Sequence, residues 1–455
     1  MNSSIFREYD IRGIAGKDLS ADFARKLGRA YVRFAENHLK KQGLTIAVGR
    51  DVRLSGEEYA SALIEGISSM GAKVISLGQT TTPMTYFSIH HLGLDGAIMV
   101  TGSHNPPDYN GFKICVGKST LHGTDIQELR TLMERDEGPK LTDLPMAEAQ
   151  DIFPGYLSFI LNNVRIGRPL KIVIDSANGA ASDFAPTVFT KLGCEVIELY
   201  CKPDGRFPNH PADPTVESNL QDIIAAVKKH GADAGIAFDG DADRIGVVNE
   251  KGEILWGDEL MVVFSRAVLA ENPGATIISE VKSSHRLYND IAQHGGKGIM
   301  WKTGHSLIKA KMKETGAKLA GEMSGHIFFA DRFFGFDDAI YAGARFLEIL
   351  AAKPQKASDL LAGLPRCVNT PEIRVDCEDE KKFAIVETIR AAMSAQYSTN
   401  EIDGVRVEFG DAWGLVRASN TQPVIVMRFE AETPERLKEV RNIIETAARK
   451  AGLGL

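Results

Sequence analysis

Leu44-Thr45-Ile46-Ala47-Val48, Lys73-Val74-Ile75-Ser76-Leu77 and Gly96-Ala97-Ile98-Met99-Val100 are three short apolar runs separated by stretches of helical periodicity. Short apolar runs bounded by polar turns read as buried strands, and helical patterns between them make a βαβ arrangement. The pattern recurs. Leu170 to Asp175, Glu195 to Tyr200 and Ala234 to Phe238 form a second set, with a helical Leu220 to His230 before the last run. Thr276 to Ser279 and Gly298 to Trp301 open a third, followed by a helical His305 to Thr315 that stops at Gly316. Three similar α/β units in tandem point to internal duplication.

The last part of the chain differs. Glu372 to Val375, Val405 to Phe409 and Val424 to Phe429 read as strands, and a long helix closes the sequence. Thr433 supplies its cap, Pro434 its first position, and Leu437, Val440, Ile444 and Ala447 one apolar stripe. A chain of 455 residues exceeds one core. Pro/Gly-bearing stretches near Pro139 to Pro145, Glu250 to Gly252 and Gly363 to Pro365 divide it into 1–150, 151–252, 253–365 and 366–455. The expected fold class is α/β: three tandem α/β domains and a smaller C-terminal α+β domain.

The composition, 44% hydrophobic and 25% charged, is that of a globular protein. A net charge of -7 argues against a general nucleic-acid binder, which carries a basic surplus, but allows a basic pocket for a small anion. Arg7, Glu8 and Asp10 interrupt any secretory signal, and no long uncharged apolar stretch follows, so a cytoplasmic protein without a membrane partner is expected. Cys115, Cys194, Cys201, Cys367 and Cys377 are odd in number and never spaced as C-x-x-C, which indicates neither a disulfide framework nor a zinc site.

Asp239-Gly240-Asp241-Ala242-Asp243-Arg244 sets three carboxylates at alternate positions directly after an apolar run. On an extended segment they face one side, and Gly240 is expected to let the backbone curl so that all three converge on a hard cation, magnesium or calcium. The bland alternative is a solvated turn, disfavoured because three like charges repel unless neutralised. An EF-hand would place Glu250 at its twelfth position, but Arg244 stands where the sixth-position glycine is needed.

Ser103, in Thr101-Gly102-Ser103-His104-Asn105-Pro106, follows a strand by two residues, at the carboxyl end where open α/β sheets bind ligands. Alone, the segment reads equally well as a polar turn. It lacks the G-x-S-x-G frame of a hydrolase elbow. Gly111 to Ser119 misses P-loop spacing by one residue. Two further loops are dense in polar groups: Gly321-Glu322-Met323-Ser324-Gly325-His326 and Arg417-Ala418-Ser419-Asn420-Thr421-Gln422-Pro423. The first offers acceptors and donors for sugar hydroxyls, the second a guanidinium fork with hydroxyl and amide donors for a phosphate; surface turns and a hairpin are their structural alternatives.

Together with Phe6 to Gly13, these segments resemble the α-D-phosphohexomutase family in order and over essentially the whole chain, most closely its bacterial bifunctional phosphomannomutase/phosphoglucomutase group. The resemblance implies four domains with mixed sheets around a central cleft that draws one loop from each. It implies that Ser103 carries a phosphoryl group and that Asp239, Asp241 and Asp243, with a phosphoserine oxygen, hold one Mg2+. Glu322 and Ser324 would read the sugar, and Arg417, Ser419, Asn420 and Thr421 the unreacting phosphate. Tyr9, Arg12, His104, Asn105, Lys113, Arg244, Lys282, His305 and His326 would line the cleft, with Lys113 and His305 as candidates for proton transfer. The implied reaction interconverts hexose 1- and 6-phosphates of mannose and glucose through a 1,6-bisphosphate, with glucose 1,6-bisphosphate as activator; separately, a monomer is expected. Phosphoglucosamine mutases stand second, since they usually carry Gly at Asn420 and Gln at Met323; a metal-dependent sugar phosphatase and a sugar-phosphate binding protein are the rivals from other classes.

Overall fold

The structure, a computed structural model, describes residues 2–136, 138, 144–420 and 422–455. The boundary stretch from Pro139 to Pro145 lies mostly outside them. Each of the first three units is built on one mixed sheet. In the first, Thr45–Arg50 is flanked by parallel Lys73–Gln79 and Gly96–Val100, and Tyr109–Val116 runs antiparallel beside Gly96–Val100. In the second, Lys171–Asp175 lies between parallel Glu195–Leu199 and Ala234–Phe238, with Ile245–Asn249 antiparallel to the latter. In the third, Thr276–Glu280 lies between Lys297–Trp301 and Leu319–Gly321, with Ile327–Phe329 antiparallel to Leu319–Gly321.

Counted along the chain within each unit, these strands have the same spatial order, 2-1-3-4, three times. The duplication is therefore one of topology. The third strand of each unit is buried throughout, Gly96–Val100 and Ala234–Phe238 without an exposed residue, because helices or neighbouring units cover both faces. The antiparallel fourth strand forces a short connection at the carboxyl end of the third: residues 101–108, 239–244 and 322–326. The polar loops of the sequence are these connections.

The C-terminal sheet is antiparallel throughout and includes Ile373–Asp376, Val405–Glu408, Ala412–Ala418 and Val424–Ala431. Helices Asp379–Ser394 and Pro434–Lys450 share an apolar core with it. The Thr433 side chain accepts from Arg436 N at 3.2 Å, and Val440, Ile444 and Ala448 are the buried positions of the closing helix. Ala412–Ala418 turns into Val424–Ala431 through residues 419–423, so the fourth polar loop is again a connection between antiparallel neighbours. Arg417 stands at the end of the strand rather than in the loop. Glu250 to Gly252 is the turn of a hairpin whose return strand, Ile254–Leu255, still pairs with Val247 and Val248, so the second sheet extends past residue 252. All five cysteines are free. Among the described residues no helix is long and apolar enough to cross a membrane.

Candidate active site

Ser103 is buried and holds φ +47, a left-handed backbone unusual for a residue with a side chain. Its amide donates to Thr101 Oγ1 at 2.8 Å, its hydroxyl to Asp239 Oδ2 at 2.8 Å, and His104 Nδ1 lies 3.2 Å from the same Oγ. The serine loop thus meets the aspartate loop of the next unit directly. Burial, followed by the nearby Arg244 and Arg12, pushes His104 well below the ordinary histidine range. Arg12 donates to Asn105 Oδ1 at 2.7 Å and pairs with Asp10.

The aspartate segment is a turn, not an extended run: Ala242 N donates to Asp239 O at 3.2 Å, and the left-handed residue is Ala242, at φ +63. Gly240 has another role from the one expected. A Cβ there would lie 2.4 Å from Ser103 O, so the glycine permits contact with the serine loop. The turn still brings ligand-capable atoms of all three aspartates within 4.8 Å of one another. Lys113 Nζ donates to Asp241 Oδ2 at 2.7 Å and to Asp243 Oδ2; the Thr82 hydroxyl also donates to Asp241 Oδ2. Asp241 Oδ1 and Asp243 Oδ1 are buried and have no hydrogen-bond partner. Burial and the two neighbouring carboxylates push Asp239 up, whereas at Asp241 the Lys113 ammonium outweighs burial and holds the carboxyl down. Burial would lower Lys113, but Asp241, Asp243 and Asp239 together keep it above the ordinary lysine range. Buried, converging, unpartnered carboxylate oxygens suit a hard divalent cation. Glu250 is turned away and accepts from Ser358, which excludes the EF-hand pattern.

The third loop joins this network through Arg244, whose Nε donates to His326 Nε2 at 3.0 Å. That bond leaves the ring proton on Nδ1, which faces Asp337 Oδ2 at 3.0 Å. His305 and His326 stack with centroids 5.4 Å apart, and burial with Lys309 nearby pushes His305 well below the ordinary range. Glu322 Oε1 accepts from Gly304 N at 2.7 Å, and burial raises its carboxyl. Ser324 is half-buried beside it.

Tyr9 ties three units together: its hydroxyl donates to Thr303 O at 2.7 Å and accepts from Asn420 Nδ2 at 2.9 Å. Arg417 Nε donates to Asp403 Oδ2 at 3.1 Å, and Thr303 N to the same oxygen at 3.0 Å. Ser419 Oγ accepts from Gln422 N at 3.1 Å; Gln422, without a role in the sequence, shapes this loop through its backbone, its carbonyl accepting from Lys382. Lys282 donates to Glu372 at 3.0 Å, and Glu280 and Glu372 together outweigh burial to hold its ammonium up. Thr421 lies outside the described residues.

Two groups therefore form, one around Ser103, the aspartates and the histidines, the other around Tyr9, Lys282, Arg417 and Asn420. Residues 303–305 join them. Sequence reading missed Thr303, Gly304, Glu280, Asp337, Asp403, Asp51 and Arg53. Buried Glu280 accepts from Met323 N, Lys282 N and Thr303 Oγ1 and so fixes the sugar loop. Charged residues at or just past the end of a buried strand, as in Glu280 and Arg50-Asp51-Val52-Arg53, are the signal that marks several of them.

Three duplicated α/β units and an antiparallel C-terminal unit, each lending one polar loop, define a class that comparison with known proteins identifies. Family models for phosphoglucomutase/phosphomannomutase α/β/α domains I, II and III match residues 3–139, 154–252 and 256–367, and that for the C-terminal domain matches 372–447. A phosphomannomutase/phosphoglucomutase of Pseudomonas aeruginosa is 47% identical over 442 residues, 97% of this chain and 94% of that protein. A phosphoglucomutase of Neisseria gonorrhoeae is 47% identical over 442 residues, 96% of this chain and 95% of that one. The crystal structure of a phosphoglucomutase/phosphomannomutase family protein from Burkholderia thailandensis superposes with a TM-score of 0.91 at 42% identity, covering 99% of each chain. The chain belongs to the α-D-phosphohexomutase family. It is an enzyme of the isomerase class, of the phosphomannomutase/phosphoglucomutase type.

Proposed function

We propose that the protein interconverts the 1- and 6-phosphates of mannose and glucose, with Ser103 as the phosphoryl carrier. The observation that carries this reading is the buried Ser103 hydroxyl bonded to Asp239 at 2.8 Å beside two unpartnered carboxylate oxygens. In the first half-reaction the Oγ–P bond of phosphoserine breaks and a P–O bond to a sugar hydroxyl forms, giving a hexose 1,6-bisphosphate. The hydroxyl proton passes to His305, whose ring burial keeps neutral, since Lys113 is already an ammonium bonded to Asp241 and Asp243 and both His326 nitrogens are taken. The Ser103 oxygen released from phosphorus takes up one proton in turn. After the bisphosphate turns around, its other phosphoryl group returns to Ser103.

Asp239, Asp241 and Asp243, with an oxygen of the phosphorylated Ser103, would hold Mg2+, which when bound polarises the phosphoryl oxygens. Three carboxylates and a phosphate of about -1.5 to -2 exceed one divalent charge, and Arg12, Lys113 and Arg244 supply the remainder. Glu322 and Ser324 read O3 and O4, which glucose and mannose share, so both sugars fit. Arg417, Ser419, Asn420, Thr421 and Lys282 grip the unreacting phosphate, and glucose 1,6-bisphosphate restores the phosphoenzyme. The domain division follows the four loops, with a monomer in the cytoplasm as the working form.

Incubation with mannose 1-phosphate, Mg2+ and a trace of glucose 1,6-bisphosphate, followed by phosphorus NMR, tests the reading. The 6-phosphate is expected to accumulate; release of inorganic phosphate, or no change, overturns it. Intact mass should show a phosphate-sized increment that Ser103→Ala loses.

A further inference from the structure

Arg53 lies just beyond Thr45–Arg50, the strand whose Arg50 registers with Val100 immediately before the serine loop. Its guanidinium is buried, and all four of its Nη protons are spent on the serine loop and the first residue of the strand that follows it. Nη2 donates to Ser103 O at 2.7 Å and Asn105 O at 2.6 Å; Nη1 donates to Pro106 O at 2.6 Å and Tyr109 O at 2.7 Å. The fork is itself held. Asp51 Oδ2 lies 3.3 Å from Arg53 Nε, accepts the Thr101 hydroxyl at 2.7 Å and faces Gly102 N at 3.3 Å, while Asp51 Oδ1 accepts Arg53 N at 2.9 Å. The Phe207 ring of the second unit lies 5.2 Å from the guanidinium carbon. A Cβ on Gly102 would sit 2.5 Å from the guanidinium, so that glycine makes room for it.

A left-handed residue with a side chain persists only where its surroundings over-determine it. Ser103 meets that condition: Arg53 pins its carbonyl, and the same oxygen lies so near Gly240 that a Cβ there would fall 2.4 Å from it. We propose that Arg53 is the positioning residue of the phosphoryl carrier, fixing the backbone from which Ser103 Oγ is aimed at Asp239 without itself touching substrate or phosphate. The inference rests on the reading of Ser103 as carrier. It assigns to a planar fork what a lysine cannot do, since an ammonium has three protons for four carbonyls.

The test compares Arg53→Lys and Arg53→Ala with the wild-type chain in three measurements: uptake of phosphate onto Ser103 from glucose 1,6-bisphosphate by intact mass, kcat and KM for glucose 1-phosphate, and thermal melting. Displacing a reacting atom by an ångström or less is expected to lower kcat and phosphate uptake of folded R53K by about ten- to a hundredfold, with KM changed less than about threefold. Added guanidinium is expected to restore part of the rate of R53A and none to R53K, a rescue that a general loss of stability would not give. R53K with wild-type kcat and uptake overturns the inference. So does a fall in rate that only tracks the unfolded fraction, or failure of both variants to fold, either of which makes Arg53 a folding determinant instead. A wild-type chain that takes no phosphate onto Ser103 removes the carrier reading, and the inference with it, and is recognised before any variant is made.

Discussion

The two small residues of the aspartate turn have exchanged the roles their chemistry suggests. Gly240 is free to adopt a left-handed backbone and does not; Ala242 adopts it at φ +63. Glycine is needed at 240 because the site beside it is full, a Cβ there falling 2.4 Å from Ser103 O. Gly240→Ala must push the serine loop away, at an overpacking cost of about 1–3 kcal/mol, and is expected to lower kcat with the loss of the Ser103–Asp239 contact. Ala242→Gly removes backbone strain while freeing the unfolded chain, so its melting temperature is expected to stay within a few degrees of wild type. Kinetics and melting of the two variants check this; equal effects would mean that space and backbone conformation are not separable here. The three aspartates stand out in the sequence because their spacing is local, whereas Ser103 alone reads equally well as a turn residue and is singled out only together with the loops far from it in sequence. The sequence does not reveal Arg53, whose guanidinium reaches the Ser103 carbonyl 50 residues on, or Asp337 and Asp403, whose partners His326 and Arg417 stand 11 and 14 residues away, since buried polar contacts between distant residues leave no periodic trace.

Local signals were decisive for single elements. The helix His305–Thr315 ends where Gly316 takes φ +67, and Thr433 with Pro434 starts the last helix, as cap chemistry requires. The antiparallel fourth strands were not legible, because an apolar run such as Ile245–Asn249 reads alike in either direction. Helix Ala339–Ala351 carries a testable cap. Asp338 accepts from Tyr341 N at 2.9 Å and from the Tyr156 hydroxyl at 2.8 Å, yet burial pushes its carboxyl up to about 7. The folded chain then holds that proton more tightly than the unfolded one, so this group lowers stability progressively as pH rises from the ordinary aspartate range towards 7. Asp338→Asn still caps the helix but cannot ionise. Its melting temperature should rise relative to wild type from about pH 5 to about pH 8, with a ceiling of roughly 4 kcal/mol for a shift of about three pH units. A difference that does not change with pH would show that Asp338 titrates normally.

Across the whole molecule, unit boundaries do not coincide with mechanical ones. Lys282 follows a strand of the third unit, but Arg406 of the C-terminal unit donates to Val281 O at 2.6 Å and Ser283 O at 2.7 Å, and Arg428 binds Lys282 O. Ser284 adds a bond to Glu430 at 2.8 Å. Lys282 is thereby fastened to the unit that bears Arg417 and Asn420. The opposite contact, from the first unit, is Tyr9. Gly304 at φ +133 leaves space for its ring, since a Cβ would fall 2.4 Å from Tyr9 Cζ, and the hydroxyl reaches both Thr303 O and Asn420. If the Tyr9–Asn420 bond links the first unit to the last, Tyr9→Phe and Asn420→Ala should not be additive. A double-mutant cycle on KM for the hexose phosphate is expected to give a coupling of about 0.5–1.5 kcal/mol, the net worth of a part-buried hydrogen bond. Tyr9→Phe alone should do more than Asn420→Ala, because it also strands the Thr303 carbonyl. A cycle that closes within roughly 0.3 kcal/mol would mean that the units meet there without energetic linkage, leaving Arg406 and Arg428 to hold the C-terminal unit in place.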